Sequence, residues 1–150
     1  IWKDKHLSKI LSNYSKTPYF HKYFPDLKNI ITQDYKFLVD LNYDLLDYFL
    51  GILDIQVKVI KASSLNISSI GNNYLKDICL NVGANIYIFG EQGINYADYE
   101  IFKDNGIEIR FQKYQHPVYK NAGKSFFSNM SIIDLLFNEG DSALRILKNK

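Results

Sequence analysis

The sequence predicts an α/β fold: a small parallel, Rossmann-like sheet of at least three strands flanked by helices, with a helical N-terminal part. Two observations support this prediction. Amphipathic helical patterns fill the first third of the chain, and short apolar or β-branched runs then alternate with helical patterns. Strand–helix–strand connections are right-handed almost without exception and leave their strands parallel, so the sheet is expected to be parallel.

Helical periodicity dominates the first fifty residues. Apolar residues at positions i, i+3, i+4 and i+7 predict an amphipathic helix over 2–14. A similar pattern predicts a core helix over 34–50, which Gly51 can end in a left-handed cap. Between these helices, Thr17 followed by a proline predicts a capped helix start, and Pro25 predicts a break between two short helices.

Three short segments have the composition of strands. Alternating β-branched residues predict the first strand over 56–61, and a continuous apolar run predicts a buried second strand over 86–89. Alternation of apolar and charged residues predicts the third strand over 107–111. The connecting helices are predicted over 71–82 and 96–103.

A polar turn follows each of the three predicted strands, over 61–64, 90–96 and 112–116. The carboxyl ends of parallel strands share one edge of the sheet, and open α/β sheets bind their ligands at that edge. The sequence therefore predicts a substrate site formed by the three turns.

The middle turn contains two glycines, Gly90 and Gly93, that could present backbone amides to an anion at the start of the next helix. A plain strand-to-helix turn explains them equally well, because the segment lacks the ending of a phosphate loop and is not a full dinucleotide fingerprint. Under the functional interpretation, Asn95 and Tyr96 of this turn and Ser63 of the first turn are further substrate-binding residues.

Two histidines are candidate catalytic residues. His116 lies in the third turn, where it could act as a general base, and Pro117 restricts its backbone to extended conformations. His6 lies beside the apolar stripe of the first helix, where packing at the core margin is the alternative to catalysis. The histidines and the scattered carboxylates lack metal-ligand spacing, so no metal site is predicted, and the cofactor is unknown.

The C-terminal part combines a long loop with a capped helix. Residues 113–129 have no periodicity, as is typical of loops that are functional or disordered. Ser131 and Asp134 form a capping-box sequence that opens a helix over 132–138. The capping interpretation accounts for both side chains, and together with Asn138 they are also candidate substrate-binding residues.

Length and charge limit the class of protein. The 150 residues fit one domain, with the 47% hydrophobic content of an ordered globular protein. The formal charge of +2, with only two arginines, forms no basic stripe, so nucleic acid is not an expected partner. No apolar run approaches the length of a membrane span.

The cysteine content and the first residue add two expectations. The single cysteine, Cys79, excludes an internal disulfide, so a reducing compartment, the cytoplasm, is the expected location. Because the chain begins with Ile1 instead of methionine, the single domain over 1–150 is expected to be the C-terminal part of a longer protein. The oligomeric state is not predicted.

Short motifs in a fixed order carry a resemblance to a known family. They are Trp2 with His6-Leu7, Tyr14 with Pro18-Tyr19-Phe20, Gly83-Ala84, Tyr87 to Gly90, Gly93 with Tyr96, Phe102 with Gly106-Ile107, His116-Pro117-Val118-Tyr119, and Ser131-Ile-Ile-Asp-Leu-Leu-Phe-Asn138 with Gly140. On these motifs the chain resembles the WbqC-like protein family nearly end to end. The string over 131–138 is the most specific of them.

The resemblance implies a bacterial protein of surface polysaccharide biosynthesis, especially of O-antigen lipopolysaccharide. It also implies a suggested role as a transferase that places glycine, or another acyl or aminoacyl group, on a sugar. The partner would then be a small-molecule or nucleotide-sugar substrate. The alternative is a protein that binds a nucleotide or sugar intermediate without chemistry. Family members usually carry an additional N-terminal segment, which would belong to the longer protein.

Overall fold

The computed structural model describes residues 2–123 and 125–148. Contacts divide the chain into two compact units. The first, here called the helical unit, combines Ile1–Val57 with His116–Lys150. The second, the sheet unit, is Lys58–Gln115. The single domain expected over 1–150 stays a prediction.

The chain is mostly helical over its described part, with one small parallel sheet. In order, its helices and strands are α1 (Trp2–Tyr14), α2 (Phe20–Thr32), α3 (Leu38–Ile52), α4 (Gly71–Val82), β1 (Ile86–Phe89), α5 (Tyr99–Lys103), β2 (Glu108–Phe111), α6 (Ile132–Glu139) and α7 (Ala143–Leu147). Short 3₁₀ turns cover Ala62–Leu65, Glu91–Asn95 and Gly140–Ser142.

The helical unit is built around the buried face of α2. Phe20, Tyr23, Leu27 and Ile31 recur every three or four residues, so they lie on one side of the helix, and all four are buried. They pack in one core with residues of α1, α6 and α7. Burying one such side chain stabilises the fold by about 1.5–3 kcal/mol, so this stripe holds the helix in place.

The same stripe explains why two predictions about α2 are wrong. Pro25 lies inside α2 and does not break it, because the continuous buried stripe outweighs the cost of about 3 kcal/mol for an interior proline. Thr17 does not cap the helix, which begins at Phe20. Its hydroxyl instead donates to the carbonyl of Tyr14, 2.7 Å away, at the end of α1.

The core helix predicted over 34–50 forms later, over Leu38–Ile52, and Gly51 is not its cap. The left-handed position falls instead on Asp54, whose φ is 50°. Gly51 lies in the helix, and a Cβ added there would meet no atom within 4 Å.

The sheet unit has two parallel strands, and the prediction of at least three strands is wrong. β1 pairs with β2 in register from Ile86 opposite Glu108 onward. Residues 56–61 are not in a strand, because the segment pairs with neither of them and Val57 remains 60% exposed. β1 is also buried on one face only, since Ile88 is 64% exposed.

A small aromatic core joins the strands of the sheet unit to its helices. Phe89 of β1, Phe102 of α5, Ile107 and Cys79 of α4 are buried together. The predicted inward orientation of Cys79 is confirmed. α5 is shorter than predicted: it begins at Tyr99, because the Asp98 side chain accepts hydrogen bonds from the amides of the first turn.

Gly140 is the glycine whose replacement is expected to destabilise the helical unit most. Its φ is +54°, and a Cβ added there would lie 2.5 Å from ring atoms of Tyr19. We expect Gly140→Ala to lower the free energy of unfolding by about 1–3 kcal/mol. Gly51→Ala is the matched control and should raise it by up to about 1 kcal/mol, because alanine favours the helix. Urea unfolding of both variants checks this, and equal effects would contradict it.

Candidate functional site

The helical unit contains a pocket of about 640 Å³ between the end of α1, the loop after His116 and α6. Its volume is within the range of small-molecule sites, about 300–1,000 Å³. Polar side chains and a few apolar ones form its wall. The lining residues are Asn13, Tyr14, Lys16, Thr17, Asn121, Ala122, Gly123, Ser125, Phe127, Met130, Asp134 and Asn138.

α6 supplies the two buried polar side chains of this wall. Asp134 and Asn138 are four residues apart and therefore lie on the same helix face. They are only 8% and 9% exposed, because every residue from Asp134 to Asn138 is buried. Such burial of a carboxylate is rare and requires hydrogen-bond donors around it.

Two tyrosines surround the Asp134 carboxylate. The Tyr119 hydroxyl donates to Oδ2 of Asp134 over 2.6 Å, and this hydrogen bond is itself buried. Burial, together with the negative charge of Asp134, raises the pKa of the Tyr14 hydroxyl to about 12. Both causes favour the neutral phenol, which keeps its proton beside the carboxylate. Among the described residues, no cationic side chain forms an ion pair with Asp134.

Asn138 fixes the loop that closes the pocket. Its Nδ2 donates to the backbone carbonyl of Asp134 over 2.8 Å, and its Oδ1 accepts from the amide of Ala122 over 2.8 Å. One residue further along α6, Glu139 accepts from the amide of Lys120 over 3.0 Å. Two side chains of α6 thus pair with backbone amides of the loop, whose sequence lacks any regular pattern.

The capping box predicted for Ser131 and Asp134 does not form. Ser131 is the N-cap residue in an extended conformation, but its side chain is exposed and makes no capping hydrogen bond. Asp134 is oriented instead toward Tyr119. Desolvating the carboxylate beside a buried hydroxyl donor replaces the local contact that the sequence spacing indicated.

His116 belongs to the same cluster of aromatic residues without lining the pocket. Its ring is half-buried, and its centroid lies 5.9 Å from the centroids of both Tyr119 and Phe126. Nδ1 is 2.8 Å from the carbonyl oxygen of Pro117. Because a carbonyl only accepts, this contact requires a proton on Nδ1, and the lone pair of the neutral ring is then on Nε2. His6 is exposed on α1.

The Gly90 turn of the sheet unit is held by its own backbone. The amide of Gly93 donates to Gly90, and the amides of Tyr96 and Ala97 donate to Gly93. Gly93 is buried, and a Cβ added there would lie 2.5 Å from Phe89. Close packing therefore accounts for this glycine, and anion binding by the turn stays a prediction.

The other residues assigned to the sheet edge are less closely connected. Asn95 ends the 3₁₀ turn after Gly90, and Tyr96 is 61% exposed beside the ring of Phe89. Ser63 is exposed in a 3₁₀ turn that follows no strand, so two predicted turns, not three, follow strands. The pairing of the Gly90 turn with His116 joins residues of different units and stays a prediction.

Sequence reasoning found two residues of the pocket and missed most of the others. It singled out Asp134 and Asn138, but not Tyr14, Thr17 or Asn121. One signal was available: two polar residues four apart interrupt the apolar run of α6. Neither a site of three or more potential metal ligands nor a helix able to cross a membrane occurs among the described residues.

Comparisons with known proteins agree with this chain in one respect. A family model described as WbqC-like protein family matches residues 1–146. The uncharacterized protein Rv1507c of Mycobacterium tuberculosis is 26% identical over 144 residues, which are 95% of this chain and 62% of that protein. The chain therefore spans about three fifths of the length of this relative. No solved structure matches.

The Tyr119–Asp134 hydrogen bond is expected to stabilise the helical unit. Tyr119→Phe removes a donor from a buried carboxylate, so we expect a loss of about 1.5–3 kcal/mol in the free energy of unfolding. Tyr35→Phe is the matched control, because Tyr35 donates to Asp44 over 2.7 Å at a more exposed position, and should cost less than about 1 kcal/mol. Urea unfolding measures both, and equal losses would show that burial is unimportant here.

The raised pKa of Tyr14 predicts a dependence of stability on pH. Because its pKa is about 12 in the folded chain and near 10 when unfolded, the stabilisation is complete below pH 10 and is lost as pH rises toward 12. Tyr35 and Tyr48 have similarly raised pKa values, so wild type and Tyr14→Phe must be compared. The variant should lose less stability between pH 10 and 12, as measured by denaturant unfolding, and parallel curves would refute the assignment.

Proposed function

The chain belongs to the WbqC-like protein family, and on that basis we propose that it acts in the biosynthesis of bacterial surface polysaccharide, especially O-antigen. The proposed reaction transfers glycine, or another acyl or aminoacyl group, to a sugar. The observation that carries the proposal is the pocket beside Asp134, which has the size and the polarity of a sugar site.

The composition of the pocket wall fits a sugar. Sugars present hydroxyl groups that both donate and accept hydrogen bonds, and they present apolar ring faces. The wall offers amide groups from Asn13 and Asn121 and the Asp134 carboxylate, with Phe127 and Met130 as apolar surface. Small-molecule sites combine apolar area with a few fixed polar groups in this way.

His116 is the residue that could activate the acceptor. In the proposed step its Nε2 removes the proton of a sugar hydroxyl, whose oxygen then forms the new bond to the carbonyl carbon of an activated acyl donor. The bond from that carbon to the leaving group breaks, and the leaving group departs with the electron pair. Tyr119 contacts the His116 ring and binds Asp134, so it couples the base to the pocket.

The remaining predicted site residues receive supporting roles in the proposal. The turn with Gly90, Gly93, Asn95 and Tyr96 would hold an anionic group of a nucleotide-linked substrate, and Ser63 would add a contact. Ser131 precedes the two pocket residues of α6. A cytoplasmic location fits a nucleotide-sugar substrate and stays part of the proposal.

A second function, binding of a sugar intermediate without chemistry, is favoured by a specific observation. His116 is not among the residues that line the pocket. The single cysteine also offers no covalent route, because burial raises the pKa of the Cys79 thiol and disfavours the thiolate. A protein that presents an intermediate to another enzyme would need the pocket alone.

A transfer assay separates the two functions. The full-length protein is incubated with activated glycine and candidate nucleotide sugars, and products are detected by mass spectrometry. We expect a sugar to gain the mass of a glycyl group, and His116→Ala to lower the rate by about 100-fold or more with little change in melting temperature. His21→Ala, on the exposed side of α2, is the matched control and should retain the rate.

Three other results decide differently. Calorimetric binding of a nucleotide sugar without any mass gain would select the binding function. Absence of both binding and transfer would refute both functions. His6→Ala tests the second catalytic candidate, and a loss as large as that of His116→Ala would assign His6 to the reaction.

A further inference from the structure

The charge of the pocket restricts the ligand that it can bind. Of the described lining residues, Asp134 carries a negative charge and Lys16 a positive one at neutral pH, and all others are neutral. The two charges differ in position: Asp134 is buried in the wall, whereas Lys16 is exposed. Solvent screens an exposed charge much more strongly than a buried one, so the field inside the pocket is that of the carboxylate.

The carboxylate is held for a ligand that donates hydrogen bonds. Tyr119 donates to Oδ2, and Tyr14 lies close enough for the charge of Asp134 to affect its ionisation. Both groups are neutral, so they stabilise the carboxylate without cancelling its charge. A buried carboxylate without an ion-pair partner attracts a cation, and it repels the phosphate of a nucleotide.

We propose that this pocket binds the primary ammonium group of a substrate, with Asp134 as its counter-ion. The proposal rests on the proposed function, in which the pocket is a substrate site, and it names the chemical class of that substrate. The ammonium group has two possible sources in an aminoacyl transfer to a sugar: the aminoacyl donor or an amino-sugar acceptor. Asn138 and Asn121 then provide neutral hydrogen-bond partners for the rest of the molecule.

The test uses three small probes and the intact protein. Glucosamine and N-acetylglucosamine differ at the amino group, which is charged in the first and acylated in the second, and glycinamide represents the aminoacyl source. Binding is measured by calorimetry and by NMR titration at low salt. We expect glucosamine or glycinamide to bind about tenfold or more tightly than N-acetylglucosamine, since the pair with Asp134 is charge-assisted. The tighter of the two amines identifies the source.

Charge variants locate the effect. Asp134→Asn keeps the shape and the acceptor oxygen for Tyr119, and should remove the preference for amines. Asp47→Asn, on an exposed position of α3, makes the same change in net charge and should leave the preference intact. Lys16→Gln removes the other charge of the wall at an exposed position, so it should fold normally and bind the amines more tightly.

Each outcome decides between the inferences. Equal binding of glucosamine and N-acetylglucosamine, or an amine preference that survives in a folded Asp134→Asn protein, would overturn the ammonium site. Weaker amine binding by Lys16→Gln would do so even if Asp134→Asn failed to fold. Glycyl transfer without an amine preference would leave the proposed function standing and remove this inference, and an amine preference without transfer would do the reverse.

Discussion

Burial of the Asp134 carboxylate is the constraint on which the helical unit depends. A charged group 92% removed from solvent must be surrounded by donors, because its desolvation otherwise costs several kcal/mol. Tyr119 supplies a direct hydrogen bond from the loop, and Tyr14 supplies a neutral phenol from the end of α1. The positions of α1, α6 and the loop are therefore coupled, since a shift of any one changes the surroundings of the carboxylate.

The same constraint links the fold to the candidate site. The side chains that satisfy or flank Asp134 also form the wall of the pocket, so the site is part of the core and not an addition to its surface. Asn138, one helical turn later, pairs with the amide of Ala122 and gives the loop a defined path. Aromatic contacts of Phe137 with Tyr14 and Phe20 hold α6 from its other side.

Particular elements show where reasoning from the sequence succeeds. The helix over Trp2–Tyr14, the helix before Gly83 and the parallel pairing of β1 with β2 are confirmed, because each follows from local periodicity, a glycine cap or connection geometry. It fails at Pro25 and over 56–61, where local propensity competes with packing. A buried stripe keeps the first in a helix, and the lack of a neighbouring strand leaves the second unpaired.

The sequence by itself determined the helical N-terminal part, the two paired strands, the start and end of α6 and the resemblance to a family that residues 1–146 match. Only the tertiary structure decided the role of Asp134, which local spacing assigned to a helix cap. Its partners Tyr119 and Tyr14 are 15 and 120 residues away in the chain. Contacts at such separations arise from packing, which local patterns do not encode, and packing placed the carboxylate in the wall of a pocket.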